Sequence, residues 1–414
     1  MFCRSQLETL TARLDEPPRF MIVIAGPRQI GKSTLVRQAL RGRSSTFEAT
    51  DQPTMAQEWN GHEGNISYVE RGAKATEKWI VDIWEQARVK AQRLPEGHFH
   101  VLAIDEIQKI PRWSEVIKGL WDRDRAEQVR LNVVLLGSSP FLMQQGLTES
   151  LAGRYELIVL THWSYSEMQE AFDFSLDEYI FFGGYPGAAS LIREETRWRQ
   201  YVRESLIRPN IEKDILQMTR VDKPALLKTL FELGCGAYSG QLVSLTKLLG
   251  QLEGAGNTVT LAHYLNLLAQ AGLLTGLQKY SGQALRRRAA PPKFNAHNTA
   301  LISAQNWYTF EQAKSDRTYW GRLVESAAGS HLINNKPDNT NLYYWRESPR
   351  EVDFVLAYGD RLLAIEVKSG YGDETHQGVQ DFCGRFKNVK TLVVGSSQVT
   401  LADFLLQPIA DWIR

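Results

Sequence analysis

Two short stretches hold residues whose types and spacing can do chemistry. The first runs Gly26-Pro27-Arg28-Gln29-Ile30-Gly31-Lys32-Ser33-Thr34. Two glycines bracketing four residues, followed by Lys-Ser, form a phosphate-binding loop. Backbone N–H groups surround the phosphates, the lysine reaches the β and γ phosphates, and the serine hydroxyl joins Mg2+. The second stretch is EVDFVLAYGDRLLAIEVKSG, Glu351 to Gly370, an apolar segment that carries acids at Asp353 and Glu366 and a lysine at Lys368. Gly359-Asp360 is a Gly-first two-residue turn signal, so the segment reads as a tight hairpin in which Tyr358 pairs with Arg361 and Asp353 falls opposite Glu366. Like charges directly opposed, with Cβ atoms about 5 Å apart, destabilise a sheet. A divalent cation shared by the two carboxylates would compensate, and oxygen ligands suit Mg2+ or Mn2+. The alternative is a solvated hairpin face on which Lys368 neutralises the acids.

Each stretch needs elements to hold it. Upstream of the loop, Phe20 to Ala25 reads as a buried strand, and downstream Leu35, Val36, Ala39 and Leu40 mark the inner face of a helix. A second apolar run, FHVLAIDEIQKIP, ends in Asp105-Glu106, where Asp105 would hold the Mg2+ shell and Glu106 would act as base toward the attacking water. A plain helix cap is the alternative for that pair. A third run, LNVVLLGSSP, ends in Ser138-Ser139. A hydroxyl there can sense the γ-phosphate or simply make a turn. In LTESLAGRYELIVL, Arg154 can stabilise transition-state charge on the nucleotide of a neighbouring subunit, or form a surface ion pair. In the hairpin, period-two alternation puts Val352, Phe354, Leu356, Leu363, Ile365 and Val367 on one apolar face.

Between these stretches the pattern is helical. YIFFGGYPGAAS reads as a rigid turn between helices. Further on, a Gly-rich turn separates one helix from a second with Leu261, Tyr264, Leu265 and Leu268 on one face. A hairpin after that helix would complete a winged helix, with a basic wing of Lys279, Arg286, Arg287, Arg288 and Lys293. Such a wing can neutralise nucleic-acid phosphates or serve as a protein-contact module. The segment RRRAAPP suggests a linker near Pro291-Pro292.

The totals narrow the classes. A chain of 414 residues exceeds one core. Its net charge of +1 advertises no global nucleic-acid bias, so any such contact is local. Cys3, Cys235 and Cys383 are far apart, which disfavours a zinc site or a disulfide framework and fits a reducing, cytoplasmic setting. No apolar run reaches the length of a membrane span, and the N-terminus has no signal-peptide core, so no membrane association is expected.

Taken together, GPRQIGKST, AIDEIQKIP, LLGSS, LAGR, GGYPGA, YYWRESPREVDFV and AIEVKSG resemble a group of bacterial and archaeal AAA+ ATPases fused to a C-terminal uncharacterised domain with PD-(D/E)xK nuclease character. The resemblance implies an α/β chain in three parts. Residues 1–165 form an AAA+ P-loop ATPase domain with a parallel sheet, 166–292 a helical lid and winged-helix-like domain, and 293–414 a PD-(D/E)xK nuclease-like domain. It implies that Asp353 and Glu366 are metal-binding acids, that Lys368 orients or activates water, and that Glu325 on the helix YWGRLVESAAGSHLI completes the metal shell. ATP, Mg2+, a homo-oligomer and nucleic acid, DNA foremost, are the implied cofactors and partners. One departure is visible: where the group carries an aspartate near PPKFNAHNTALIS, this chain has Asn295, His297 and Asn298. The expected function is ATP hydrolysis coupled to metal-dependent phosphodiester cleavage. The alternative is a regulatory or scaffolding ATPase whose nuclease-like domain only binds a partner.

Overall fold

The structure, a computed structural model, describes residues 2–50, 76–138, 143, 147, 150–215, 221–252, 257–281, 290–370 and 377–413. Ser139 and the triplet Arg286, Arg287 and Arg288 lie outside the described residues. The chain divides into two compact units, Cys3–Leu160 and the remainder from Thr161 onward.

The first unit is built on five parallel strands in the order β2-β3-β4-β1-β5. They are β1 (Met21–Ala25), β2 (Ser45–Ala49), β3 (His100–Asp105), β4 (Leu131–Gly137) and β5 (Tyr155–Val159). The central strands β1, β3 and β4 are buried along their whole length, the unbroken apolar signature of a parallel sheet covered on both faces. Helix α1 (Gln6–Asp15) and helix α2 (Lys32–Ala39) contact each other. Helices α3 (Glu77–Gln92) and α4 (Trp113–Ala126) set Ile80, Trp84, Ile117 and Trp121 against Leu102, Ile104, Val133 and Leu135. Since all five strands run the same way, the ends of β1, β3 and β4 meet along one edge. That edge is where open α/β sheets place ligands.

The second unit opens with helices, among them α5 (Tyr165–Phe172), α6 (Leu176–Phe182), α7 (Pro224–Gly236) and α8 (Thr258–Gln270). A mixed six-stranded sheet follows, in the order β11-β10-β9-β8-β6-β7. Its strands are β6 (Leu274–Lys279), β7 (Lys293–Ala296), β8 (Thr340–Glu347), β9 (Arg350–Tyr358), β10 (Arg361–Val367) and β11 (Val389–Val394). Helix α9 (Arg317–Asn335) precedes β8 and helix α10 (Gln377–Arg385) precedes β11. The face of α8 that carries Leu261, Tyr264, Leu265 and Leu268 is buried, as its periodicity requires. The hairpin after it belongs to the large sheet: β6 pairs with β7 on one side and runs parallel to β8 on the other. All four residues of β7 are buried, against α7 and α9, which a solvent-facing wing would not tolerate. The boundary expected at 292/293 therefore falls between two paired strands of one sheet.

The Gly359-Asp360 hairpin has the expected register, from Tyr358↔Arg361 to Phe354↔Ile365. Its partition into one apolar and one polar face does not hold. Pairing with β8 shifts from Tyr343↔Val355 to Trp345↔Val352, so Asp353 and Phe354 together oppose Tyr344. This bulge moves Val352 into the cluster of Val355, Leu362, Ala364, Val379 and Phe382 beneath α10. Phe354 instead reaches Gly329 of α9, where an added Cβ would lie 2.8 Å from its ring. The sheet is apolar on both faces because each is covered by helix.

Three buried imidazoles couple this packing to pH. His100 lies between the hydroxyls of Ser44 and Thr46, at 2.8 and 2.9 Å. Burial lowers its pKa from 6.5 to about 4. The same cause takes His297 to about 3 and His331 to about 4. The unfolded chain thus binds protons that the folded chain refuses, so the stability these groups contribute is complete above about pH 6.5 and is lost as pH falls toward 4. Thermal melts across that window should show a falling Tm, and His100→Gln should make the fall shallower.

Candidate functional site

The phosphate-binding loop leaves β1 at Gly26. Leu160 N–H donates to Ala25 O at 2.8 Å, which brings the end of β5 hard against the loop. A Cβ at Gly26 would lie 2.1 Å from Leu160 O, so this position has room for glycine alone. Gln29 and Gly31 both adopt left-handed φ values, 60° and 90°, and the buried Ile30 between them pins the loop. Left-handed residues of this kind turn successive N–H groups toward one concavity. Gly31 is the N-cap of α2 and supplies no side-chain cap, so the first N–H groups of the helix have no cap from that side chain. Pro27 is buried, Arg28 half-buried, and Gln29 and Thr34 exposed.

The side chains around the loop are already engaged. Lys32 is buried and its Nζ donates to Gly26 O at 2.9 Å and Pro27 O at 2.7 Å. Ser33 Oγ donates to Asp105 Oδ2 at 2.5 Å, joining the helix start to the end of β3. Burial raises the Asp105 carboxyl, opposed by the Ser33 hydrogen bond. A hydroxyl beside a carboxylate is an oxygen donor pair that suits Mg2+, so these residues fit a nucleotide-bound magnesium. Glu106 has a left-handed φ of 56°. Its Oε2 accepts from Ser138 Oγ at 2.8 Å and from Gln108 Nε2 at 2.6 Å. Sequence reading missed Gln108 because it lies on a short turn, Ile107–Lys109, with no periodicity of its own.

Arg154 stands apart. Its carbonyl accepts from Met21 N–H at the start of β1, the end of the sheet opposite the loop. Its guanidinium forms a two-point ion pair with Asp122, at 2.7 and 3.0 Å. Within this chain the structure does not bring Arg154 to the loop.

The second constellation lies wholly in the other unit. Glu325 projects from the middle of α9, Asp353 stands in the β9 bulge, Glu366 is at the end of β10 and Lys368 just beyond it. Lys368 Nζ donates to Glu366 Oε1 at 2.9 Å. Asp353 Oδ2 accepts from Val367 N–H at 2.9 Å, tying β9 to β10 where their ladder ends. Lys368 also lines a cavity of about 210 Å3 with Asp177, Trp320, Ser369 and Ser396.

The residue that organises this group is Lys293 of β7. Only 1% exposed, it places Nζ 2.6 Å from Glu325 Oε1 and 3.3 Å from Asp353 Oδ1. Glu351 follows at 3.8 Å, and Nζ also donates to Asp353 O at 3.1 Å. Burial opposes the charge on this lysine, but the surrounding carboxylates, Asp353 and Glu325 foremost, hold it protonated. Burial pushes Glu325 up to about 7 despite Lys293, and burial followed by repulsion from Asp353 raises Glu366. From sequence, Lys293 was grouped with the basic wing. The signal that separates it is its setting in KFNA, a strand otherwise uncharged and entirely buried. Among the described residues, no group of three or more His, Cys, Asp or Glu side chains is spaced to hold a metal. A Mg2+ shared by Glu325, Asp353 and Glu366 does not fit this arrangement, because the Lys293 ammonium stands between the first two.

The Asn295, His297 and Asn298 side chains make contacts within the fold, with Asn295 Nδ2 donating to Ala296 O at 2.7 Å. Asn298 Oδ1 accepts from Gly184 and Ala300 N–H, both at 3.1 Å, which ties down the Gly183-Gly184 turn. His297 Nε2 meets Thr275 Oγ1 at 2.5 Å.

Residues 18–169 match a family model described as an AAA domain. The N-terminal unit carries an AAA-type P-loop ATPase domain. Residues 173–309 and 320–409 match two further models, each described as a domain of unknown function, DUF8612 and DUF4143. Comparison with curated proteins finds no match. Among solved structures, a Walker-type ATPase of Pyrococcus abyssi is similar at 14% identity, covering 74% of this chain and 96% of its own, with a TM-score of 0.45. A RuvB variant of Thermotoga maritima is similar at 16% identity over 65% of this chain and 85% of its own, with a TM-score of 0.32. The Aeropyrum pernix Orc1 protein in complex with DNA is similar at 12% identity over 73% of this chain and 91% of its own, with a TM-score of 0.30.

Gly26→Ala should keep the fold by circular dichroism yet sharply weaken ATP binding, because the backbone carbonyl of Leu160 cannot yield as a side chain would. Arg154→Ala should leave the thermal melt essentially unchanged. If its ATP turnover then falls only in assembled protein, the arginine serves a neighbour's nucleotide.

Proposed function

We propose that this chain hydrolyses ATP at the Gly26–Thr34 loop and uses the nucleotide cycle to regulate how its C-terminal unit engages nucleic acid. The observation that carries the first half is the 2.5 Å bond from Ser33 Oγ to Asp105 Oδ2 on the edge where the loop, β3 and β4 converge. Lys32 would exchange the carbonyls of Gly26 and Pro27 for the β and γ phosphates, and Ser33 with Asp105 would hold Mg2+. The ion, when bound, neutralises charge developing on the phosphates. Glu106, oriented by Ser138 and Gln108, would take the proton of the attacking water as ATP and water become ADP and phosphate. The working form is a homo-oligomer in a reducing, cytoplasmic setting. The wide sequence separation of Cys3, Cys235 and Cys383 supports that setting.

For the second half, support comes from the order α9, β8-β9-β10, α10, β11, with an acid on the middle strand of the meander and a Glu-x-Lys at the end of the next. These are the residues that the PD-(D/E)xK resemblance assigns to its centre. Lys293 among the acids favours engagement without cutting. The second reading, phosphodiester cleavage, is favoured by the 2.9 Å pairing of Lys368 with Glu366 beside Asp353.

Lys32→Ala should abolish ATP turnover. Glu106→Gln should bind ATP but hydrolyse it about a hundredfold or more slowly, the usual scale for a lost general base. Plasmid and single-stranded DNA should then be offered to wild-type protein with Mg2+ or Mn2+, with and without ATP. The first reading expects nucleotide-dependent DNA binding and intact DNA. Cutting that disappears in Glu366→Ala and Lys368→Ala would establish the second, and absence of any DNA or RNA binding would remove nucleic acid as the partner.

A further inference from the structure

We propose that Lys293 is the permanent cation of the nuclease-like centre, occupying the place between Glu325 and Asp353 that a divalent ion would otherwise take. The inference rests on reading Glu325, Asp353 and Glu366 as a metal cradle. The ammonium donates to Asp353 O at 3.1 Å and Asp353 Oδ1 at 3.3 Å, and it forms an ion pair with Glu325 Oε1 at 2.6 Å. The Phe354 ring adds a fourth contact, with its centroid 4.8 Å from Nζ. Both oxygens of Asp353 are engaged, Oδ1 by Lys293 and Oδ2 by the Val367 amide.

Size and charge argue the same way. Mg2+ demands oxygens at about 2.1 Å in near-octahedral order. An ion that close to both Glu325 Oε1 and Asp353 Oδ1 would lie against the ammonium, cation on cation. The lysine cannot swing aside, since its residue is 1% exposed and its strand is paired to β6 and covered by α7 and α9. Lys293 thus reaches the centre from the far edge of the sheet, outside the α9-to-β11 core that carries the acids.

Counting bound Mn2+ by electron paramagnetic resonance tests this. The parent would be the nucleotide-free full chain carrying Asp105→Asn, which removes the carboxylate that faces Ser33 in the P-loop. The parent should bind no Mn2+ that Glu325→Gln removes. Adding Lys293→Met, which keeps the stem and deletes the charge, should lower Tm in chelator, create one Mn2+ site, and recover part of the lost Tm when Mn2+ is supplied. A Mn2+ site in the parent that Glu325→Gln or Asp353→Asn abolishes would overturn the proposal. So would a folded Lys293→Met chain that binds no Mn2+. If Lys293→Met fails to fold, the comparison of parent with Glu325→Gln still decides. DNA binding by wild-type protein is measured separately, so failure of the nucleic-acid reading leaves the Mn2+ count standing.

Discussion

Burying charge is costly unless each charge is answered, and the C-terminal unit is arranged around one such answer. The Lys293 ammonium joins β7 to α9 through Glu325 and to β9 through Asp353, while the second oxygen of Asp353 holds the end of β10. Four elements, β7, α9, β9 and β10, converge on two side chains. Removing either partner would leave an uncompensated charge in the interior of a unit whose strand β7 is only four residues long.

Two buried lysines, Lys32 and Lys293, are held in different ways. Lys32 rests on the carbonyl oxygens of Gly26 and Pro27, neutral acceptors that an incoming phosphate can outcompete. Lys293 rests on carboxylates, and no phosphate would displace them. One site is poised for exchange and the other is closed.

Much of this was legible in the residues. Continuous apolar runs ending in Gly26, Asp105 and Ser138 announce parallel strands that deliver their ends to one edge, because local sequence encodes both strand and loop. The Gly359-Asp360 turn sets a register that needs no tertiary information. The faces of β9 were not legible, since the bulge at Asp353 and Phe354 arises from pairing with β8, a contact that alternation within the hairpin cannot report. The role of Lys293 was hidden for the same reason. In the sequence it stands beside a run of arginines and two prolines, and only the docking of β7 against α9 turns it inward. Arg154 was placed on the right turn, but its distance from the loop depends on strand direction in the assembled sheet.

The bulge also constrains the gene. Because two residues of β9 share one partner on β8, the number of residues between the Gly359 turn and Glu351 determines which way everything upstream points. Deleting the codon for Asp353 would remove the extra residue and leave Val352 opposite Trp345 with its face unchanged, whereas a codon added between the bulge and Val352 would reverse Val352 and Glu351 together. In this strand, one residue more is a heavier change than one residue fewer.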